Sequence, residues 1–257
     1  MGGYQADEAY NSQADFFKKY FFGYHLNRLE AYDQFLRRRL QRAHEVFSIG
    51  SGRCANELFL LEDGYQITCS DINTWGAYEK TKALFPRFTH RQCDILAGPL
   101  PRPYDAIVSL SLIYLFDERE LRMFFNNVSK SLHIGGHLIL DSAGSPDNVL
   151  AYLIHEKLLK YETVLLQLAK GIVNGRRDGW IKKHHGYRRT DREITEFARH
   201  CGLELRYQEN YGFTIEFKRS RLLDKLITRH SSMERMFGWI GRSVPYIRMY
   251  DFEKVSP

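Results

Sequence analysis

Cysteine is sparse and scattered in this chain. Cys54, Cys69, Cys93 and Cys201 form no C-x-x-C pair, and no histidine stands at zinc-binding spacing from them. That pattern excludes a zinc ribbon and a disulfide framework, and it leaves small, reduced, largely buried side chains. No apolar run approaches the ~18 residues of a membrane span. The opening MGGYQADEAY lacks the basic start and apolar core of a signal peptide, and the hydroxyl residue that N-myristoylation needs. A cytoplasmic protein is expected. Internal repeats, low-complexity tracts and clustered acidic metal ligands are absent too.

What is present is ordinary in amount and uneven in placement. The 257 residues suit one substantial domain with additions, and 44% apolar with 26% charged residues is a globular composition. Aromatics reach 14% and crowd the first two dozen residues. A net charge of +6 favours anionic partners. Residues 12–43 have a helical pattern. Short apolar runs then alternate with amphipathic stretches. EVFSIG, YQITCSD, RFTHRQCD, YDAIVSLSLIYL and HLILDS read as strands. CANELFLLED, TWGAYEKTKALF and DERELRMFFNNVSKSL read as helices, the last with Asp117 as N-cap. This rhythm predicts βαβ units and a parallel sheet covered on both faces, with ligands at the carboxyl ends of the strands. Gly50, Asp71, Asp94 and Ser109 all fall at those predicted ends. Further on, residues 147–170 read as a long helix and Asp191–His200 as another, N-capped by Thr190. LELRYQENYGFTIEF reads as an antiparallel hairpin about ENYG, and a basic amphipathic tail follows from Lys218.

The stretch EVFSIGSGRCANELFLLEDGYQITCSDIN bares backbone at Gly50 and Gly52 and places Asp71 roughly twenty residues later, as a nucleoside-bearing cofactor requires. A nicotinamide dinucleotide is one reading, since GSGRCA satisfies G-x-G-x-x-A. Against it, a long segment precedes the glycine strand, and a terminal hairpin is foreign to that architecture.

The ordered stations resemble a second group more closely, the class I S-adenosylmethionine-dependent methyltransferases, over about residues 45–217. Their first motif, acidic-x-Gly-x-Gly-x-Gly, reads here Ser48-Ile49-Gly50-Ser51-Gly52-Arg53-Cys54. Serine replaces the acid and cysteine the third glycine. The resemblance implies a Rossmann-like, doubly wound, seven-stranded mixed α/β sheet with its last strand antiparallel. Residues 1–44 would form an N-terminal helical lid, residues 45–217 the cofactor-binding domain, and residues 218–257 a C-terminal helical extension. It further implies that Gly50, Ser51 and Gly52 approach the methionine part of S-adenosylmethionine. Asp71 would bind the ribose hydroxyls and Ile72 would lie against adenine. Asp94 would meet the adenine amine with Ile95 beside it, and Ser109 and Leu110 would line the cofactor. Arg28, on the lid, is a candidate for the cofactor carboxylate.

Methyl transfer to an alcohol oxygen needs alignment and a base near neutrality. The connector RRDGWIKKHHGYRR offers His184, His185 and Tyr187 as catalytic candidates. Arg176, Arg177, Lys182, Lys183, Arg188 and Arg189 surround them as anion-holding cations. Tyr114 and Arg188 are the substrate-side candidates. The bland alternative is a hydrated surface loop. No Asn/Asp-Pro-Pro-Tyr signature follows the fourth strand, which speaks against adenine amines as acceptors. The expected acceptor is a small anionic molecule: a sugar, a sugar nucleotide or a related metabolite. Two other readings stand beside it. One is a methyltransferase-like protein that grips nucleic acid through its basic connector and tail, disfavoured by the modest charge. The other is an enzyme for a lipid-linked acceptor, whose tail (Arg235, Phe237, Trp239, Ile240, Arg242) lies on a membrane surface.

Overall fold

The computed structural model describes residues 26–52, 54, 56–57, 60–61, 63–74, 77–153, 186–211, 227–228, 231–245 and 247–256. Helix α1 (Leu26–Arg39) leads into β1 (Glu45–Ile49). Then come β2 (Gln66–Asp71), α2 (Ala77–Leu84), β3 (Thr89–Gln92) and β4 (Tyr104–Ser109). A 3-10 turn (Ile113–Leu115), α3 (Glu118–Lys130) and β5 (Leu132–Ala143) follow. The chain continues with α4 (Asp191–His200), β6 (Leu203–Tyr211), α5 (Ser232–Ser243) and β7 (Ile247–Lys254). One seven-stranded sheet runs β3-β2-β1-β4-β5-β7-β6. β1 is parallel to β2 and β4, with Ser48 opposite both Cys69 and Val108. β7 is antiparallel to both β5 and β6. The strand order reverses at β1, between β2 and β4, the place where sheets of this kind bind their ligands.

Alternation along the buried strands feeds two cores. Val46, Cys69, Ala106, Val108 and Ile139 point to the face covered by Tyr32, Phe35 and Leu36 of α1 and by Leu40 just after it. Phe47, Ile49, Ile107, Leu138 and Leu140 point to the other, covered by Phe124 and Phe125 of α3 and Ile194 and Ala198 of α4. Continuous apolar strands such as AIVSL are thus the signature of a sheet buried on both sides. Asp117 and Thr190 each close a capping box with Glu120 and Glu193, as their spacing predicts.

Two expectations change. The strand antiparallel to the sheet is not the second arm of a hairpin about ENYG. β6 runs unbroken through Glu209 and Asn210, and its partner is β7, at residues 247–254, inside the segment expected to be a helical extension. Residues 212–217 lie outside the described residues. β7 escaped notice because Arg248 and Asp251 interrupt its apolar pattern, yet both are buried. Arg248 donates from Nε to the Ala143 carbonyl at 2.9 Å and from Nη2 to the Arg189 carbonyl at 2.6 Å, and it pairs with Asp191 through Nη1. Asp251 pairs with Arg39 of α1 at 2.6 Å and with His137 at 2.8 Å. Secondly, what is described of the N-terminal region is a layer of the core, with Phe35 and Leu36 fully buried. Residues 1–25, more than half of the segment 1–44 expected as a lid, are outside the described residues, as are residues 154–185, which include most of the helix expected at 147–170 and most of the connector.

Candidate functional site

The glycine loop leaves β1 in a left-handed conformation that side chains resist. Gly50 has φ +65° and Gly52 φ +52°, and Cys54 at φ +60° accepts the same geometry where the resembled motif has its third glycine. A Cβ on Gly50 would press into Leu112 at 2.9 Å, whereas Gly52 faces open space with nothing within 4 Å. The loop is tied to β2 twice through one carbonyl. Ser51 donates to the Ser70 carbonyl from its backbone N–H at 2.8 Å and from its hydroxyl at 3.1 Å.

Asp71 ends β2 beneath this loop. Its Oδ2 accepts from the Gly52 N–H at 3.1 Å and its Oδ1 from the Asn73 N–H at 2.9 Å. Each carboxylate oxygen keeps a further lone pair, so the group is fixed in place and still able to accept from two hydroxyls. Ile72 beside it is 57% exposed, an apolar surface open to an aromatic base. Asp94, also exposed, caps a turn by accepting from the Leu96 N–H at 2.9 Å. Ile95 packs into the α3-side core and its carbonyl holds the Asn127 amide at 2.7 Å, so its side chain faces inward from the rim. Ser109 is fully buried, and its Oγ has no partner among the described residues; Leu110 is buried beside it. The structure therefore brings the loop, Asp71, Ile72, Asp94 and Ser109 to one rim.

The connector reaches that rim as well. Gly186, φ +85°, lies so close to the 3-10 turn after β4 that a Cβ would fall 2.4 Å from the Tyr114 carbonyl oxygen. Tyr187 donates its N–H to that same carbonyl at 2.6 Å. Tyr187 is exposed and Arg188 half-buried, while Tyr114 sits on the turn itself. Arg189, expected among the anion-holding cations, is instead buried and donates from Nη2 to the Phe116 carbonyl at 3.0 Å. Its length lets it anchor the connector to the turn. His184, His185, Arg176, Arg177, Lys182 and Lys183 lie outside the described residues, and nothing is described of the Arg28 side chain.

Inspection of the sequence missed two features. Tyr32 of α1 donates to Asp141 at the end of β5, and Asp141 accepts from the Ser111 N–H at 2.5 Å. This network holds Ser111 at φ +57° just past β4, fixing that part of the rim. The aspartate in HLILDS was a visible signal, since it ends a strand at the ligand-binding edge. The second is Glu57, buried at 2% exposure and accepting from the Ser48 hydroxyl at 2.5 Å. Burial pushes its carboxyl up to about 7 despite that hydrogen bond.

A concavity of about 610 Å³, lined by Arg38, Arg42, Asp105, His133 and His137, opens at the opposite end of the sheet. It lies at the amino ends of β4 and β5, away from the glycine loop, and volume alone does not make it the reaction site.

Solved structures of the same architecture carry adenosyl cofactor products. The geranyl diphosphate C-methyltransferase from Streptomyces coelicolor, solved with S-adenosyl-L-homocysteine, is 16% identical, with a TM-score of 0.57, covering 99% of this chain and 88% of that one. The magnesium protoporphyrin IX methyltransferase from Synechocystis, also with bound S-adenosyl-L-homocysteine, is 15% identical, with a TM-score of 0.56, covering 94% and 89%. No curated protein sequence matches the chain. The model of the family described as tellurite resistance protein TehB matches residues 11–162, more than half of the chain. With this match and the strand order above, the chain belongs to the TehB family and has the class I methyltransferase fold.

Proposed function

We propose that this protein transfers the methyl group of S-adenosylmethionine to a small anionic molecule, at an oxygen of a sugar, a sugar nucleotide or a related metabolite. The observation that carries the reading is Asp71, clamped between the Gly52 and Asn73 amides with acceptor capacity to spare beside an open glycine loop. The residues fit the cofactor. Asp71 would hold the ribose, Ile72 and Asp94 the adenine, Gly50 to Gly52 the amino-acid part, and the orphaned Ser109 hydroxyl the edge of the pocket. When bound, S-adenosylmethionine supplies an electrophilic methyl on a sulfonium.

The chain's own residues would align the acceptor and relieve it of its proton. Tyr114, Tyr187 and Arg188 would orient it from the rim, and His184 or His185 would serve as base. A net charge of +6 favours an anionic acceptor. So does the family's description, since tellurite is an oxyanion, and so does the geranyl diphosphate named for one structural neighbour. Calorimetry with S-adenosylmethionine and with NAD tests the cofactor. Micromolar binding of the first and none of the second is expected, and tighter binding of NAD would refute the assignment. Replacing His184 and His185 singly should lower turnover and leave cofactor affinity unchanged. Unchanged turnover in both would remove them from the mechanism.

A lipid-linked acceptor is a second reading, favoured by Trp239 on α5, 70% exposed with Met236 at 44%. Co-sedimentation of the protein with anionic liposomes, lost on Trp239→Ala, would support it.

A further inference from the structure

Position 48 presents a puzzle of charge. It ends in a hydroxyl, Ser48, where the resembled motif carries an acid below the glycine loop. A carboxylate is nevertheless there. Glu57, nine residues on, folds back under the loop and accepts from the Ser48 hydroxyl at 2.5 Å. Its backbone is fixed by helical turns on both sides. The Glu57 N–H donates to the Cys54 carbonyl at 3.2 Å, and the Leu61 N–H donates to the Glu57 carbonyl at 3.0 Å. The second oxygen, Oε2, is buried without a hydrogen-bond partner among the described residues.

The described groups around it are neutral. Ser48 faces it from β1, Cys69 from β2 and Cys54 from the loop, and Tyr78 of α2 lies beyond the two thiols. No described cation offsets it. An isolated carboxylate so placed is costly unless something completes it, which makes a buried, half-satisfied acid beside a cleft a candidate for a binding role. A purely structural acid would be expected to satisfy both oxygens.

We propose that Glu57, oriented by Ser48, supplies from a new position the negative charge that the first motif has lost, and that it is the positioning residue for the ammonium group of the cofactor's amino-acid part. The inference rests on the S-adenosylmethionine reading of the site. In the free protein near neutrality, part of the population carries the proton on Glu57. Binding the ammonium selects the carboxylate, and the displaced proton passes to buffer: Glu57–COOH and R–NH3+ become the ion pair and one H+.

Titration calorimetry of S-adenosylhomocysteine between pH 5.5 and 7.0, in two buffers of different ionisation heat, tests this. Wild-type protein should bind more tightly as pH rises, by up to about tenfold per pH unit, with close to one proton released at the low end. Glu57→Gln should bind at least about tenfold more weakly at pH 7, with a flat pH profile and no proton release. Ser48→Ala retains the charge but removes the hydrogen bond that favours it, so its release should shift to higher pH. Adding Ser48→Asp to Glu57→Gln should restore affinity. A wild-type profile as flat as that of Glu57→Gln, with equal affinities, overturns the proposal. So does a Ser48→Ala profile superimposable on wild type, should the Glu57 variant fail to fold. Absence of any S-adenosylhomocysteine binding by wild type overturns the cofactor reading itself, a separate result.

Discussion

Substituting Gly186 by alanine probes whether the connector is seated on the rim at the carboxyl ends of the strands. The backbone there is left-handed, φ +85°, and the new Cβ would lie 2.4 Å from the Tyr114 carbonyl oxygen and from its Cδ2. The ring can turn away, but the carbonyl cannot. It belongs to a 3-10 turn held by bonds from Leu115 to Leu112 at 2.9 Å and from Phe116 to Ile113 at 3.2 Å. The left-handed φ alone costs an alanine about 1 kcal/mol. The clash forces the connector off the turn, so the Tyr187 to Tyr114 hydrogen bond is lost as well, about 1 kcal/mol. Uncovering the apolar rim adds a similar amount, giving about 3 kcal/mol in all. Gly64 is the internal control. Its φ is +83°, nearly the same, yet nothing lies within 4 Å of a Cβ there, so Gly64→Ala should cost only about 1 kcal/mol. Urea unfolding followed by tryptophan fluorescence measures both, read as midpoint shifts at constant slope. S-adenosylhomocysteine affinity of Gly186→Ala should stay within about twofold of wild type, because the glycine loop and Asp71 are untouched. A Gly186→Ala variant no less stable than Gly64→Ala would mean that the connector does not rest on Tyr114, and it would remove the basis for putting Tyr187 and Arg188 beside an acceptor.

Other substitutions probe the buried charges. Glu57 has its carboxyl raised from the ordinary 4.5 to about 7, so folding takes up a proton between those values. Its contribution is therefore fully present below pH 4.5 and is lost as pH rises through 7. The loss is about 3 kcal/mol. Glu57→Gln should flatten that fall, so that melting temperatures at pH 5 and pH 8.5 draw together relative to wild type; parallel curves would contradict the burial. Asp71→Asn turns an amide N–H toward the Gly52 N–H. We expect a loss of about 2 kcal/mol in urea unfolding and of about 30-fold or more in S-adenosylmethionine affinity by calorimetry. Arg248→Met leaves the Ala143 and Arg189 carbonyls and Asp191 without their buried donor and should destabilise by about 4 kcal/mol, far more than Tyr250→Phe, by the same unfolding assay.

The parts legible in the chain were those whose physics is local. Asp117 and Thr190 announce their helices because a capping box closes within four residues. β1 and β4 announce themselves because strands buried on both faces carry consecutive apolar residues, Val46-Phe47 in one and Ala106-Ile107-Val108 in the other. Asp71 and the glycine pair were visible together because the βαβ unit fixes their spacing. β7 was not. Its buried Arg248 and Asp251 look like surface residues until Asp191, 57 residues upstream in sequence, and Arg39, over two hundred away, arrive to neutralise them.

Glu57 shows the same division at the site. A glutamate five residues past the last glycine of the loop reads as an ordinary solvated helix residue, and spacing alone assigns it nothing. Residue order dictated where backbone would be bared, where strands would end and where an acid was missing. Whether another acid filled that place depended on how the turn after the loop folds back on β1, and so on burial and distance between groups that local patterns cannot relate. Tyr32, Asp141 and Ser111 tell it again: three segments far apart along the chain meet at one strand end, because packing the sheet's two faces leaves them nowhere else to satisfy their hydrogen bonds.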